Sequence, residues 1–94
     1  MKIIMFPPGT VSAGTNISLP SYAPAVKNIV AAYHIVLSDA STTASITSLT
    51  VTSSTPSSGE IQLIDESTVK LGDATTDLSI LVLVVTVKGE YSGA

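Results

Sequence analysis

His34 is the chain's one histidine, and serines and aspartates abound around it, so the first chemistry to test is a Ser-His-Asp set. Such a set needs an imidazole placed to take the serine proton and a carboxylate that fixes the imidazole tautomer. A single histidine inside the apolar run Val26–Ser38 is more readily a hydrogen-bonded core or interface residue than a general base. One histidine and no cysteine also leave too few ligands for zinc. The carboxylates Asp65, Glu66, Asp73 and Asp77 fall in two neighbouring loops, where converging oxygens would suit calcium. Their spacing matches no EF-hand loop, and turn aspartates commonly bond their own backbone, as Asp39 and Asp73 are expected to do. The expectation is therefore no catalytic residue, no cofactor and no metal, with calcium at residues 65–77 left open. Tyr22 and Tyr91 lie at segment ends, either as contact residues or as ordinary strand-edge aromatics. One Phe and three Tyr make a poor set of sugar-stacking platforms. Asn16-Ile-Ser18 has the form of a glycosylation sequon, and no export signal accompanies it.

Composition narrows the partners further. Four lysines, no arginine and a net charge of −3 cannot supply the basic stripe that nucleic acid demands. Without cysteine there is no disulfide framework. A mean hydropathy of +0.51 argues against disorder. The longest apolar stretch, Leu78–Val87, is ten residues, whereas a spanning helix needs about 20. Met1–Phe6 is too short for the apolar region of a signal peptide. Neither membrane insertion nor export is expected, and synthesis in a cytoplasm fits. In a chain of 94 residues, 45% are apolar and only 12% charged, yet a domain this small buries only about 60–65% of its unfolded surface. The 14 serines and 12 threonines offer a polar, neutral surface suited to packing against another protein.

The elements that would carry these residues read as strands almost throughout. Lys2–Phe6 is a short apolar run stopped by Pro7-Pro8-Gly9. Thr15–Leu19 alternates weakly and ends at Pro20. Val26–Ser38 has two apolar faces, Ile29, Ala31, Tyr33, Ile35 and Leu37 on one and Val30, Ala32, His34 and Val36 on the other, as in a strand covered on both sides. A helix over Ala25–Leu37 is the competing reading, disfavoured by dense β-branching and the lack of a charged face. Thr43–Thr52 is a threonine-rich strand whose parity switch, Ile46 against Leu49 and Val51, calls for a bulge near Thr47-Ser48 or a neutral interface. The charge-free stretch Ala40–Gly59 is read as this strand plus a loop rather than a low-complexity linker. Glu60–Ile64 and Thr68–Leu71 form a hairpin about Asp65-Glu66-Ser67. Leu78–Val87 is the central strand.

Short strands with Gly, Pro and Ser between them give an all-β fold. The expected form is a single small antiparallel β-sandwich or partly open barrel of about seven short strands. Its parts are an extended N-terminal arm (1–9), the domain proper (10–88) and a tail (89–94). Extended apolar ends of this kind can add a strand to a neighbour's sheet edge or lie in its groove.

Across Val26–Val87 the chain resembles small structural proteins of tailed-phage virions, the capsid decoration or cement type. The segments that carry the likeness are Val36-Leu-Ser-Asp-Ala40, Gly59-Glu-Ile-Gln-Leu63 and Thr68-Val-Lys-Leu-Gly-Asp-Ala-Thr75, followed by Leu78–Val87. The resemblance is one of strand and turn style rather than of a diagnostic motif. It implies a non-enzymatic virion protein, made in the host cytoplasm, that self-associates as a dimer or trimer and bridges major capsid subunits. It further implies inter-subunit contacts by Ile3, Ile4, Met5 and Phe6, with Pro7 and Pro8 keeping the arm extended. A tail-tube or head-completion protein and a surface adhesion module are the alternatives.

Overall fold

A computed structural model of the chain describes residues 1–89; residues 90–94, which include Tyr91 and all of the expected tail but Gly89, lie outside the described residues. Among those described, seven strands and no helix occur: β1 (Lys2–Phe6), β2 (Asn16–Ser18), β3 (Val26–Val36), β4 (Ser45–Thr52), β5 (Glu60–Asp65), β6 (Thr68–Leu71) and β7 (Ser79–Val87). All seven fall where period-two alternation and the Gly, Pro and Ser breaks put them. β3 is a strand and not a helix, because Val26, Ile29, Val30, Ile35 and Val36 keep their χ1 freedom in extended chain and lose it in a helix.

The strands lie in the order β1-β7-β3-β4-β5-β6-β2. The sheet curls into an open half-barrel, the more open of the two expected forms. β7 is flanked by β1 and β3, which makes it central to its half, and β5–β6 is the expected hairpin. One correction concerns direction. The sheet is mixed, because β4 pairs β5 in parallel, Thr50 opposite Glu60 through Thr52 opposite Gln62. Parallel neighbours usually need a crossover of about a dozen residues or more, and here Ser53–Gly59 alone makes the return.

That return is held by many short bonds. The Thr50 amide donates to the Gly59 carbonyl at 2.9 Å, and the Ser57 amide to Glu60 Oε1 at 2.7 Å. Asp73 accepts from Ser58 Oγ at 2.7 Å and from the Gly59 amide at 2.6 Å. Gly59 has φ +82°, the left-handed region a glycine enters without a Cβ clash. Gly72 donates to the Glu60 carbonyl at 3.1 Å. It lies so close beneath Ser57 that a Cβ would fall inside the Ser57 carbonyl group.

The core fills the concave side. Along β7 burial alternates strictly, with Ser79, Leu81, Leu83, Val85 and Val87 inside. They meet Ile4 and Phe6 from β1, Ile17 from β2, Val26, Ile29 and Ala32 from β3, Leu49 from β4, and Ile61, Val69 and Leu71 from the hairpin. Two further corrections follow from register. β3 carries irregularities at Lys27 and Val30, where the pairing with β7 shifts. The bulge at Val30 turns Ile29 to the inside with Ala32, away from Ala31, Tyr33 and Ile35, with which strict alternation groups it. β4 pairs β3 without interruption from Ser45 to Leu49, so no bulge lies at Thr47-Ser48; Ile46 simply points outward.

The expected arm is also corrected. Residues 2–6 are extended, but as an edge strand of this chain's own sheet, Lys2 opposite Val85 through Phe6 opposite Leu81. Ile4 and Phe6 are 3% and 6% exposed, so they serve the chain's own core. The segment after β1 is tied down as well. Thr75, buried, donates from Oγ1 to the Gly9 carbonyl at 2.5 Å, and its Oγ1 accepts from the Val11 amide at 3.1 Å. The Thr75 amide donates to the Val11 carbonyl at 2.9 Å.

Two substitutions test this account. Gly72→Ala forces the Ser53–Gly59 return outward and is expected to cost about 3 kcal/mol in urea unfolding. Thr75→Val keeps the side-chain shape but strands the Gly9 carbonyl and Val11 amide, an expected loss of about 2 kcal/mol by the same measurement. Unchanged midpoints for either variant contradict the role given to that residue.

Candidate functional site

The residue types of an acyl-transfer set do come near one another, in a form that seals them. His34 Nε2 lies 2.8 Å from Ser79 Oγ. Ser79 is buried, and its Oγ also accepts from the Thr76 amide at 2.9 Å. Ser79 therefore caps the turn that opens β7 and presents no exposed oxygen to a substrate. Asp73 turns its carboxylate to Ser58 and Gly59 and makes no hydrogen bond to the imidazole. The bonds from Ser58 and Gly59, with His34 a minor contributor, hold Asp73 below its ordinary pKa. Burial lowers the His34 pKa from 6.5, opposed in part by the Asp73 charge. His34 is thus a satisfied, largely neutral residue, as the apolar setting in the sequence predicts.

The remaining carboxylates face their own turns. Asp39 Oδ1 accepts from the Ser41 amide at 2.8 Å and the Thr42 amide at 2.7 Å, and Asp65 Oδ1 from the Ser67 amide at 2.9 Å. These backbone bonds are the main reason both acids sit below their ordinary pKa. Glu66 pairs with Lys88 at 2.9 Å on the surface. Among the described residues no group of three or more His, Cys, Asp or Glu is placed to hold a metal ion. The calcium reading left open for residues 65–77 finds no such group among the described residues.

The predicted contact residues divide in two. Ile3 and Met5 are 71% and 61% exposed on the convex side of β1, while Ile4 and Phe6 point inward. Phe6, Pro7, Pro8 and Tyr22 come together with Ile17 and Pro20 around an apolar groove of about 430 Å³. No charged side chain lines it. The groove runs between β1 and β2, the two end strands of the sheet, and so marks the open side of the half-barrel. The Tyr22 hydroxyl, itself exposed, donates to the Met5 carbonyl at 3.0 Å. Tyr91 lies outside the described residues.

A larger feature was not foreseen from the sequence. Pairing sets Ile3 beside Val84 and Ala31, Met5 beside Val82 and Tyr33, and Ile80 beside Ile35 and Ile46 on the convex side of β1-β7-β3-β4. Ile46 is 72% exposed. These rows hold no charged residue, and no second layer covers them. The signal was present as two apolar faces on Val26–Ser38 and Leu78–Val87, which read as burial on both sides; only the concave face is fully buried.

The half-barrel thus defines an all-β domain with an uncharged row across the convex side of four strands, an apolar groove and sealed polar clusters. No family model matches the chain, and comparisons with curated proteins and with solved structures gave no match. No helix among the described residues is long and apolar enough to cross a membrane.

His34 makes the fold sensitive to mild acid. Because its folded pKa lies below 6.5, the unfolded chain binds more protons in the interval just below 6.5. The His34 contribution is fully present above that value and is lost as the pH falls through it. Thermal melts at about pH 7.5 and 5.5 should show a drop that His34→Gln abolishes, leaving the separate decline below about pH 4 from Asp39, Asp65 and Asp73. An equal drop in the variant would assign the effect elsewhere.

Proposed function

We propose that this chain is a non-enzymatic structural protein of a virion, a capsid decoration protein that bridges and stabilises major capsid subunits and self-associates. The observation that carries the reading is the row of uncharged, partly exposed residues across the convex side of β1, β7, β3 and β4. A contiguous apolar row of this kind suits contact with another protein. The low charge of the chain supports a tile that meets neutral neighbours on several sides, and the strand and turn style of Val26–Val87 supports the virion setting.

The mechanism is linkage. A protein that binds only the assembled lattice stabilises it in proportion to occupancy. Many copies, each with its own apolar contact, resist internal pressure by avidity. The sealed Ser79 and the turned-away Asp73 weigh against a Ser-His-Asp reaction at His34.

The test is mass spectrometry and immunogold labelling of gradient-purified particles from the phage whose genome encodes the chain. The expected result is the chain on the outer shell of expanded heads, in stoichiometric amounts, and its loss on Ile46→Lys. Particles that lack the chain overturn the proposal. Labelling confined to tails would favour a tail-tube role instead.

A further inference from the structure

β1 is an edge strand with few protections: it has no proline and no bulge, and its one charged residue, Lys2, stands at its start on the same side as Ile4 and Phe6. The other end strand, β2, is only three residues long. In an antiparallel pair, alternate residues turn both backbone polar groups to the same neighbour. The Met5 carbonyl faces away from β7, since it accepts the Tyr22 hydroxyl. Ile3 and Met5 therefore present their N–H and C=O at the free edge, while Lys2, Ile4 and Phe6 direct theirs to β7.

We infer that two copies of this chain join edge to edge through β1, antiparallel and about a two-fold axis at Ile4, making one continuous sheet from the β4-β3-β7-β1 halves. This deepens the self-association in the reading above and does not depend on the lattice. Only outward residues can meet outward residues, which limits the registers. Centring on Ile4 sets Ile3 against Met5 of the second copy and Met5 against Ile3 of the second copy. Each pair exchanges two N–H···O bonds. The whole of Lys2–Phe6 overlaps, and Pro7, with no N–H, ends the ladder. The two Lys2 side chains fall at opposite ends, each across from a Phe6 beside the open groove, which has room for a lysine stem. Shifting the centre to Ile3 shortens the overlap and draws the lysines together. On the convex side the exposed Ile3 and Met5 become cross-strand apolar partners, and the uncharged rows of the two copies run on without a break. An isologous interface of this kind closes as a dimer.

Tyr22 competes with the second copy. Its hydroxyl occupies the Met5 carbonyl that the Ile3 amide of the second copy would use. Tyr22 thus acts as an edge cap that docking displaces.

The test is sedimentation velocity of the purified full chain over a concentration series, with circular dichroism to confirm folding. The expected species is a dimer. Ile3→Pro removes an outward amide and leaves the β7 ladder intact, so it should give a folded monomer. Ile3→Lys with Met5→Lys sets like charges opposite each other twice and should weaken the dimer at least about tenfold. Ile3→Lys with Met5→Glu should restore it, because position 3 faces position 5 of the other copy. Tyr22→Phe should tighten it. A wild-type monomer at millimolar concentration, a trimer, or a dimer indifferent to Ile3→Pro and to the paired lysines would overturn the proposal. The last two outcomes would leave the virion reading intact, and particles lacking the chain would leave this dimer intact.

Discussion

The half-barrel depends on one tight backbone return, from Thr52 at the end of β4 to Glu60 at the start of β5. Before it, β1, β7, β3 and β4 form an antiparallel array; after it, β5, β6 and β2 are added by a parallel step. The step is permitted because Gly72 leaves space beneath Ser57 and Asp73 gathers Ser58 and Gly59. A side chain at position 72 or an unpaired carboxylate at 73 would remove the geometry that brings Ile61 and Val69 over Leu81 and Leu83.

The same curvature explains the uneven use of apolar residues. β7 offers Leu81, Leu83, Val85 and Val87 to one side and Ile80, Val82 and Val84 to the other. Seven strands curl far enough to enclose the first set, while the second lies on the outside of the curl. Closure would have joined β1 to β2; instead a groove lies between them. The open groove and the free edge of β1 are two results of incomplete closure, and the apolar convex face lies outside the curl in either case. Each is a hazard for an isolated domain and a contact surface in an assembly.

Strand positions were legible in the sequence because β-branched runs alternate between Gly, Pro and Ser breaks, and these are local signals. Pairing is not local. Nothing in Thr50–Thr52 or Glu60–Gln62 announces a parallel neighbour, because the return is fixed by Asp73 and Gly72, which lie a strand pair away. The facing of Ile29 was hidden because both faces of β3 are apolar, so the bulge at Val30 left no mark in the alternation. The first strand looked like a detached arm for a similar reason: Ile3, Ile4, Met5 and Phe6 are all apolar, and only pairing with β7 separates inward from outward. Among candidate site residues, the satisfied state of His34 and the turn role of Asp39 followed from residue type alone, whereas Asp73, expected to bond its own turn, reaches across to Ser58 and Gly59. The gathering of Phe6, Pro7, Pro8 and Tyr22 on one groove is tertiary and could not be read ahead.

The pairing of β1 with β7 sets a timetable for the molecule's making. Lys2 lies opposite Val85, so β1 is made well before the strand it pairs with. That strand, β7, carries four of the core's aliphatic residues and is made after the other six strands. Contacts of such long sequence separation are slow to form, since loop closure precedes any gain from burial. Until β7 is made, Lys-Ile-Ile-Met-Phe is a β-prone segment without its partner strand.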